Sequence, residues 1–200
     1  MRADPPAVRR ARAADLDGVA GVLARAFHDD PVMSWFFPDD RRRVRLNERF
    51  FKLRVRGLLE QEEVYTTDDH AGAAVWALPE RWEMPPLEGL LFALRVLPLT
   101  GLRARLLTRG WAIVERAHPK EPHYYLAILG TEPDIQGRGV GSALLEPVLE
   151  SCDRDEIGAF LESSKERNIA FYARHGFRVT GELRLPQGPP VWTMWRDPRP

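Results

Sequence analysis

The chain reads as a mixed α/β domain, and three features lead there. Tyr124 to Leu129 is an unbroken aromatic and aliphatic run, the composition of a largely buried strand. Behind it a glycine-rich turn, Gln136-Gly137-Arg138-Gly139-Val140-Gly141, opens a helical pattern of Val140, Leu144, Leu145, Val148 and Leu149, and a second apolar strand, Ile157 to Leu161, follows. Strand-like ends flank a helical middle. The core of the fold is therefore the strand–helix–strand unit after residue 123.

The elements follow in order. Val8 to Ala11 is short and extended. Asp15 opens a helix whose apolar residues Leu16, Val19, Ala20, Leu23 and Phe27 recur at helical spacing, and His28-Asp29-Asp30-Pro31 ends it. A second helix follows Pro38-Asp39-Asp40 and carries Val44, Phe51, Val55 and Leu58 on one side. Its run Arg41-Arg42-Arg43 with Arg45 reads as a solvated face. Val64 to Thr67 and Ala73 to Leu78, separated by Asp68-Asp69-His70-Ala71-Gly72, form a β-hairpin. Residues 87–97 and 100–117 are expected to be helices broken at Pro98. Asn168 to Tyr172 lies on a short helix closed by Gly176, and Phe177–Thr180 and Val191–Trp195 alternate as strands. One domain over residues 1–200 is expected, with 1–6 a flexible tail and 124–177 the binding core.

Composition narrows the function. Lys plus Arg and Asp plus Glu are both 29, so no net field favours nucleic acid or another polyanion. Cys152 is the single cysteine, which excludes an intrachain disulfide framework and fits a reducing compartment. The N-terminus lacks the apolar run of a secretory signal, and the apolar stretch 87–113 is interrupted by Glu88, Pro98 and four arginines. A soluble cytoplasmic protein is expected, with no membrane partner and with a homodimer left open.

The glycine-rich turn carries the chemistry. Between a strand and a helix, successive backbone N–H groups and the positive end of the helix dipole suit a pyrophosphate, and glycines let the main chain approach it. Arg138 can add a charge-assisted contact. No Lys follows Gly141, so the P-loop pattern fails; Ser142 stands where a dinucleotide-binding turn needs its third glycine, and only one strand–helix–strand unit follows. Q-x-x-G-x-G after a strand, together with Asn168-x-x-x-Tyr172 and His175-Gly176-Phe177, resembles the coenzyme A core of the GCN5-related N-acetyltransferase (GNAT) family. From about residue 118 the likeness is closest to the puromycin-acetylating members of that family, on His118-Pro119-Lys120-Glu121-Pro122, the QGRGVGSALL stretch and Ala159 to Ser164. Acyl transfer carries over with this likeness; puromycin as the acceptor does not. The resemblance implies a mixed, mostly antiparallel sheet of six to seven strands flanked by helices, acetyl-CoA as co-substrate, and no metal.

Acetylating an amine makes three physical demands. An alkylammonium is only about one part in a few thousand neutral at pH 7, so a proton must leave. The thioester oxygen needs a donor as charge builds, and the departing thiolate needs a proton. The resemblance assigns the last task to Tyr172, one helical turn beyond Asn168, which would touch the cofactor. The strand is expected to open where Gly130 breaks regular pairing, freeing an amide near Leu129 as oxyanion donor and an edge, Leu129-Gly130-Thr131, for the pantetheine amides. Thr131 stands where the family usually carries an aliphatic residue; backbone pairing tolerates that. With Gln136, Gly137, Arg138, Gly139, Val140, Gly141, Ser142 and Asn168, these residues make the expected acetyl-CoA site. Glu162, at a strand end, is the candidate base, with water as the alternative and His123, Tyr124 and Glu121 as lesser candidates. His118 and His123 lack metal-ligand spacing and read as satisfied loop histidines. Cys152 reads as a packing residue, which favours direct transfer in a ternary complex. Trp35, Phe36, Phe37, Trp76, Trp82 and Trp111 read as core or pocket wall. The expected reaction is transfer of an acetyl group to a small-molecule primary amine. The alternatives are a protein N-terminal or lysine acetyltransferase and a non-catalytic acyl-CoA sensor.

Overall fold

The computed structural model describes residues 7–59, 63–79, 81–82 and 85–199, so the tail expected at 1–6 lies outside the described residues. Among them seven strands form one sheet: β1 (Val8–Arg10), β2 (Glu63–Thr67), β3 (Gly72–Ala77), β4 (Tyr124–Thr131), β5 (Ala159–Ser163), β6 (Arg178–Arg184) and β7 (Pro190–Arg196). Their order is β1-β2-β3-β4-β5-β7-β6. Every neighbouring pair is antiparallel except β4 and β5. This is the mixed, mostly antiparallel α/β architecture of the sequence reading.

Among the described residues seven α-helices flank the sheet: α1 (Leu16–Ala26), α2 (Pro31–Phe36), α3 (Asp40–Leu58), α4 (Pro86–Thr100), α5 (Ala104–Ala117), α6 (Val140–Arg154) and α7 (Ile169–Arg174). The central strand β3 is buried along its whole length, and its alternation feeds two cores. Ala74 and Trp76 pack with Leu144, Leu145 and Val148 of α6. Ala73 and Val75 pack with Val19, Val22 and Leu23 of α1 and with Phe51 and Val55 of α3. A smaller cluster, Trp35, Leu107, Leu185 and Val191, ties α2 and α5 to the β6–β7 end. Gly130 lets α1 approach β4: a Cβ there would lie 2.9 Å from Leu23 Cδ2 and 3.0 Å from Ala26 Cβ.

Three expectations need correction. The segment His28-Asp29-Asp30-Pro31 does more than end α1. The Asp30 carboxylate accepts from the Val32 and Met33 amides at 2.9 and 3.0 Å, and Pro31 takes the first helical position, so α2 starts there. Pro98 does not break the helical middle: α4 runs on to Thr100, although the proline cannot donate to the Leu94 carbonyl. The break falls at Gly101, whose φ of 55° turns the chain. Nor is the arginine run wholly solvated. Arg41, Arg42 and Arg45 are exposed, but Arg43 is buried and donates to the carbonyls of Phe37, His28 and Pro38 at 2.8, 3.0 and 3.2 Å and to Asp40 at 2.7 Å.

Arg43→Met should therefore leave those carbonyls unpaired and lower the unfolding free energy by about 2–4 kcal/mol, measured by urea denaturation. A second test concerns Asp15, which accepts from Arg9 at 2.7 and 2.9 Å, from the Arg12 amide at 2.7 Å and contacts His70 at 3.0 Å. The Arg9 guanidinium, above all, holds this carboxyl well below the usual carboxylate range. A depressed carboxylate contributes stability above its unfolded pKa of about 3.9 and loses it as pH falls toward the folded value. Asp15→Asn should lower stability at pH 7 and flatten the loss of Tm between pH 4 and pH 2.

Candidate active site

The site begins where two strands part. β4 and β5 pair in parallel at Tyr124–Ala159, Tyr125–Phe160 and Leu126–Leu161, and no further. Opposite, the β3–β4 register passes from Val75–Ile128 to Trp76–Leu126, so Ala127 is an extra residue in β4. Beyond this bulge β4 stays on β3 as far as Gly72–Thr131, while β5 stays on β7 as far as Ser163–Trp192. The Glu132 amide donates to the Ala71 carbonyl at 2.9 Å. Counting back in twos from that bond, Gly130 and Ile128 face β3, and the main-chain groups of Leu129 and Thr131 face the open side. The opening therefore lies at Ala127 rather than at Gly130, which keeps its partner Ala73.

The glycine turn stands beside this slot. Gly137 and Gly139 have φ of 81° and 91°, and a Cβ at either would meet only open space. Backbone conformation, not crowding, selects glycine there. Gly139 caps α6 without a side-chain bond, so the first amides of a 15-residue helix point out of its end. Gln136, Gly137, Gly139, Gly141 and Ser142 line a cavity of about 410 Å³ shared with Leu129, Gly130 and Thr131. Two expected binding residues lie elsewhere. Arg138 is exposed off the cavity wall, and the Val140 side chain packs in the core with Leu144 and Leu145. The main chain of Val140 remains at the turn, and the Arg138 side chain stands exposed beside it.

The same cavity takes Tyr172, Asn168, Glu162, Asp30 and Ser164. Asn168 ends a 3-10 turn, Glu166–Asn168, and Tyr172 follows one turn later on α7, as their spacing predicts. Gly176, at φ 92°, closes α7. Tyr172 is 7% exposed and packs edge-on against Phe171 and Phe177, with centroids 5.1 and 6.0 Å away. Burial, with a smaller push from the Asp30 charge, raises its phenol above the ordinary tyrosine value. It stays a proton donor. Asp30 is also held above the usual carboxylate range by burial, against the opposing bonds from Ser164 and the Met33 amide. Glu162 projects from β5 with its side chain 9% exposed, and its Oε1 lies 3.0 Å from His118 Nε2.

The remaining candidates fall outside this group. Tyr124 donates to Asp155 at 2.6 Å, and His123 is buried with Nδ1 2.8 Å from the Glu121 carbonyl. Cys152 is buried in the α6 core, where burial pushes its thiol up to about 12. Trp35, Phe37 and Trp76 are core, Trp111 is 46% exposed, and the aromatic cavity residues are instead Phe27, Phe171 and Tyr172. Among the described residues no group of three or more His, Cys, Asp or Glu is placed to hold a metal ion, and no helix is long and apolar enough to cross a membrane. Asp30, Ser164 and His118 were missed as site residues. Asp30-Pro31 had a legible signal, the pairing of a capping carboxylate with proline at the first helical position; the other two had none.

Residues 106–179 match the model of the acetyltransferase (GNAT) domain. An uncharacterized N-acetyltransferase of Schizosaccharomyces pombe is 27% identical over 96% of this chain and 83% of its own length. A Corynebacterium glutamicum structure described as histone acetyltransferase HPA2 and related acetyltransferase shares 26% identity with a TM-score of 0.76, covering 98% of both chains. Arylalkylamine N-acetyltransferase 2 from Aedes aegypti shares the fold alone, at 11% identity and a TM-score of 0.66 over 96% of this chain and 99% of that one. These likenesses support the family and not its puromycin-acetylating branch. The parted parallel strands and the glycine turn lie inside the segment that matches the GNAT domain, so the chain has the GNAT fold and, by these likenesses, is an N-acetyltransferase.

Proposed function

We propose that the chain transfers an acetyl group from acetyl-CoA directly to the primary amine of a small cationic molecule, both held in one ternary complex. The observation that carries this reading is the single cavity shared by the glycine turn, the open edge of β4 and the side chains of Tyr172, Glu162 and Asp30. The residues fit the donor. The amides at the start of α6 would take the pyrophosphate, and the main-chain groups of Leu129 and Thr131 would pair with the pantetheine arm. The Leu129 N–H is then the donor closest in kind to an oxyanion hole, and Asn168 lines the same wall. Tyr172 gives its proton to the leaving sulfur, and Glu162 takes one from the ammonium.

On the cavity wall Lys165 and Arg167 pair with Asp29, which leaves the carboxylates of Asp30 and Glu162 to meet an amine, with Arg174 as the remaining cation. The match of residues 106–179 to the acetyltransferase (GNAT) domain supports acyl transfer to an amine and leaves the acceptor open. The likeness to the Corynebacterium histone acetyltransferase relative makes a lysine side chain the second acceptor to test.

Thiol release from acetyl-CoA, followed over a panel of small amines and lysine-bearing peptides, tests the reading. Turnover on the amines is expected; turnover on peptides alone would replace it with protein acetylation, and acetyl-CoA binding without any turnover would make the chain a sensor. Tyr172→Phe should cut kcat by about 10²–10⁴-fold while calorimetric acetyl-CoA binding is kept. Because burial raises this phenol, it remains protonated as pH rises, and no loss of rate below about pH 10 should trace to its ionisation. Gly139→Ala forces a Cβ onto φ 91°, a strain of about 1–2 kcal/mol, and should weaken acetyl-CoA binding about tenfold.

A further inference from the structure

Glu162 does not stand alone. His118, just past the end of α5, brings Nε2 to 3.0 Å from Glu162 Oε1, with the two side chains only 3% and 9% exposed. Trp82 stacks on the imidazole, centroids 4.0 Å apart and planes 14° from parallel. Tyr125 meets it edge-on at 4.6 Å and Phe160 at 4.9 Å, so three rings fix its plane. His123 lies next, 5.7 Å away, and burial holds it below the ordinary histidine value. Neutral His123 therefore donates from Nδ1 to the Glu121 carbonyl and keeps a lone pair on Nε2.

Three buried polar atoms gather here without a well-aligned hydrogen bond: Glu162 Oε1, His118 Nδ1 and His123 Nε2. Such atoms are rare in folded proteins and call for a reason. Of the three residues, Glu162 is the one on the cavity wall. The tautomer of His118 follows from what each form would cost. A proton on Nδ1 alone would set the Nε2 lone pair against the carboxylate, and an imidazolium would bury an Nδ1–H with no acceptor. The neutral form with Nε2–H toward Oε1 avoids both.

We propose that His118 is a positioning residue for the proton acceptor: it fixes the Glu162 carboxylate through Oε1, with Trp82 fixing His118 in turn, so that Oε2 meets the acceptor ammonium. This rests on the reading of Glu162 as the base in amine acetylation. The step is simple to balance. One ammonium N–H bond breaks, its electron pair stays on nitrogen for attack on the thioester carbon, and the proton bonds to Oε2; the C–S bond then breaks with the Tyr172 proton going to sulfur, and the second proton lost by nitrogen restores the phenol. After product leaves, Glu162 returns that proton to solvent through the cavity. Removing the His118 N–H takes a donor from the charged form of the carboxylate, which moves the acid limb of the rate profile toward higher pH. The ionisable neighbours of the pair are His123, Tyr125 and Glu121, and Trp82 and Phe160 complete the wall.

The test compares wild type with His118→Phe, which keeps a ring in the stack, His118→Gln, which keeps an N–H donor, Glu162→Gln, and the Phe/Gln double variant. The acceptors are an alkylamine, charged at pH 7, and an aromatic amine, neutral there. His118→Phe should lose about 10–100-fold in kcat/KM on the alkylamine, with its acid limb moved to higher pH and acetyl-CoA affinity unchanged. The loss should shrink to within about threefold on the aromatic amine, which needs no base. His118→Gln should recover most of the rate, and the double variant should be no worse than Glu162→Gln alone. If the Phe variant does not fold, Trp82→Ala carries the same expected limb shift. Equal losses on both amines, an unmoved acid limb, or a double variant falling by the product of the singles would overturn the proposal. Wild type inactive on every amine would instead overturn the amine-acetylation reading, and this one with it.

Discussion

Parallel strands share evenly spaced, slanted hydrogen bonds, and β4 and β5 give them up after Leu126 and Leu161. Everything in the site is arranged around that parting. Each strand keeps its other neighbour, β3 for β4 and β7 for β5, so the gap costs neither strand its place in the sheet. The Ala127 bulge changes the register with β3, and the backbone alternation beyond it turns Leu129 and Thr131 toward the gap. A sheet that opens in its middle exposes main-chain donors without creating an exposed edge. Such donors are already oriented and need no reorganisation to meet an incoming carbonyl or amide.

Two helices then bring charge and chemistry to the gap. α6 follows β4 directly, and its N-terminal amides end up beside the slot because Val140, Leu144, Leu145 and Val148 bury the helix against Trp76 and Leu126. The side chain of Val140 belongs to that packing even as its backbone belongs to the turn. Gly141 backs onto Phe171, where a Cβ would come to 3.3 Å, so the start of α6 and the body of α7 set each other's distance. α7 carries Tyr172 into the cavity wall within an aromatic packing that keeps the phenol dry and protonated. Binding geometry and acid strength thus come from the same contacts.

What the sequence made legible was the local part of this arrangement. The Tyr124 run, the spaced glycines and the Asn168–Tyr172 turn each declare themselves within one element, through periodicity or through a backbone conformation that excludes a Cβ. The position of the opening did not, because Gly130 looks like a strand breaker and is in fact a small residue under α1, while the bulge at Ala127 bears no special residue. Arg43 sat in a charged run and could not be told from its neighbours until the carbonyls of Phe37, His28 and Pro38 converged on it. The pairing of His118 with Glu162 joins the end of α5 to β5, and no spacing rule links positions so far apart. Pro119 and Pro122 did mark the loop as irregular, which is what allows His118 to turn in beneath Trp82.

Two carboxylates share the cavity wall, and their environments separate their roles. Asp30 is fully engaged: one oxygen caps α2 through two amides, and the other accepts from Ser164. A carboxylate held that way anchors a helix, and taking up a proton would weaken the cap it provides. Its charge remains useful as a fixed attraction for a cation and as a brake on Tyr172 ionisation. Glu162 has a single close polar contact, on one oxygen, from a ring held in place by aromatic walls, and it caps no helix. The proposed division of labour between the two acids rests on that difference in bonding: the saturated one would orient an acceptor, and the sparsely bonded one would take its proton.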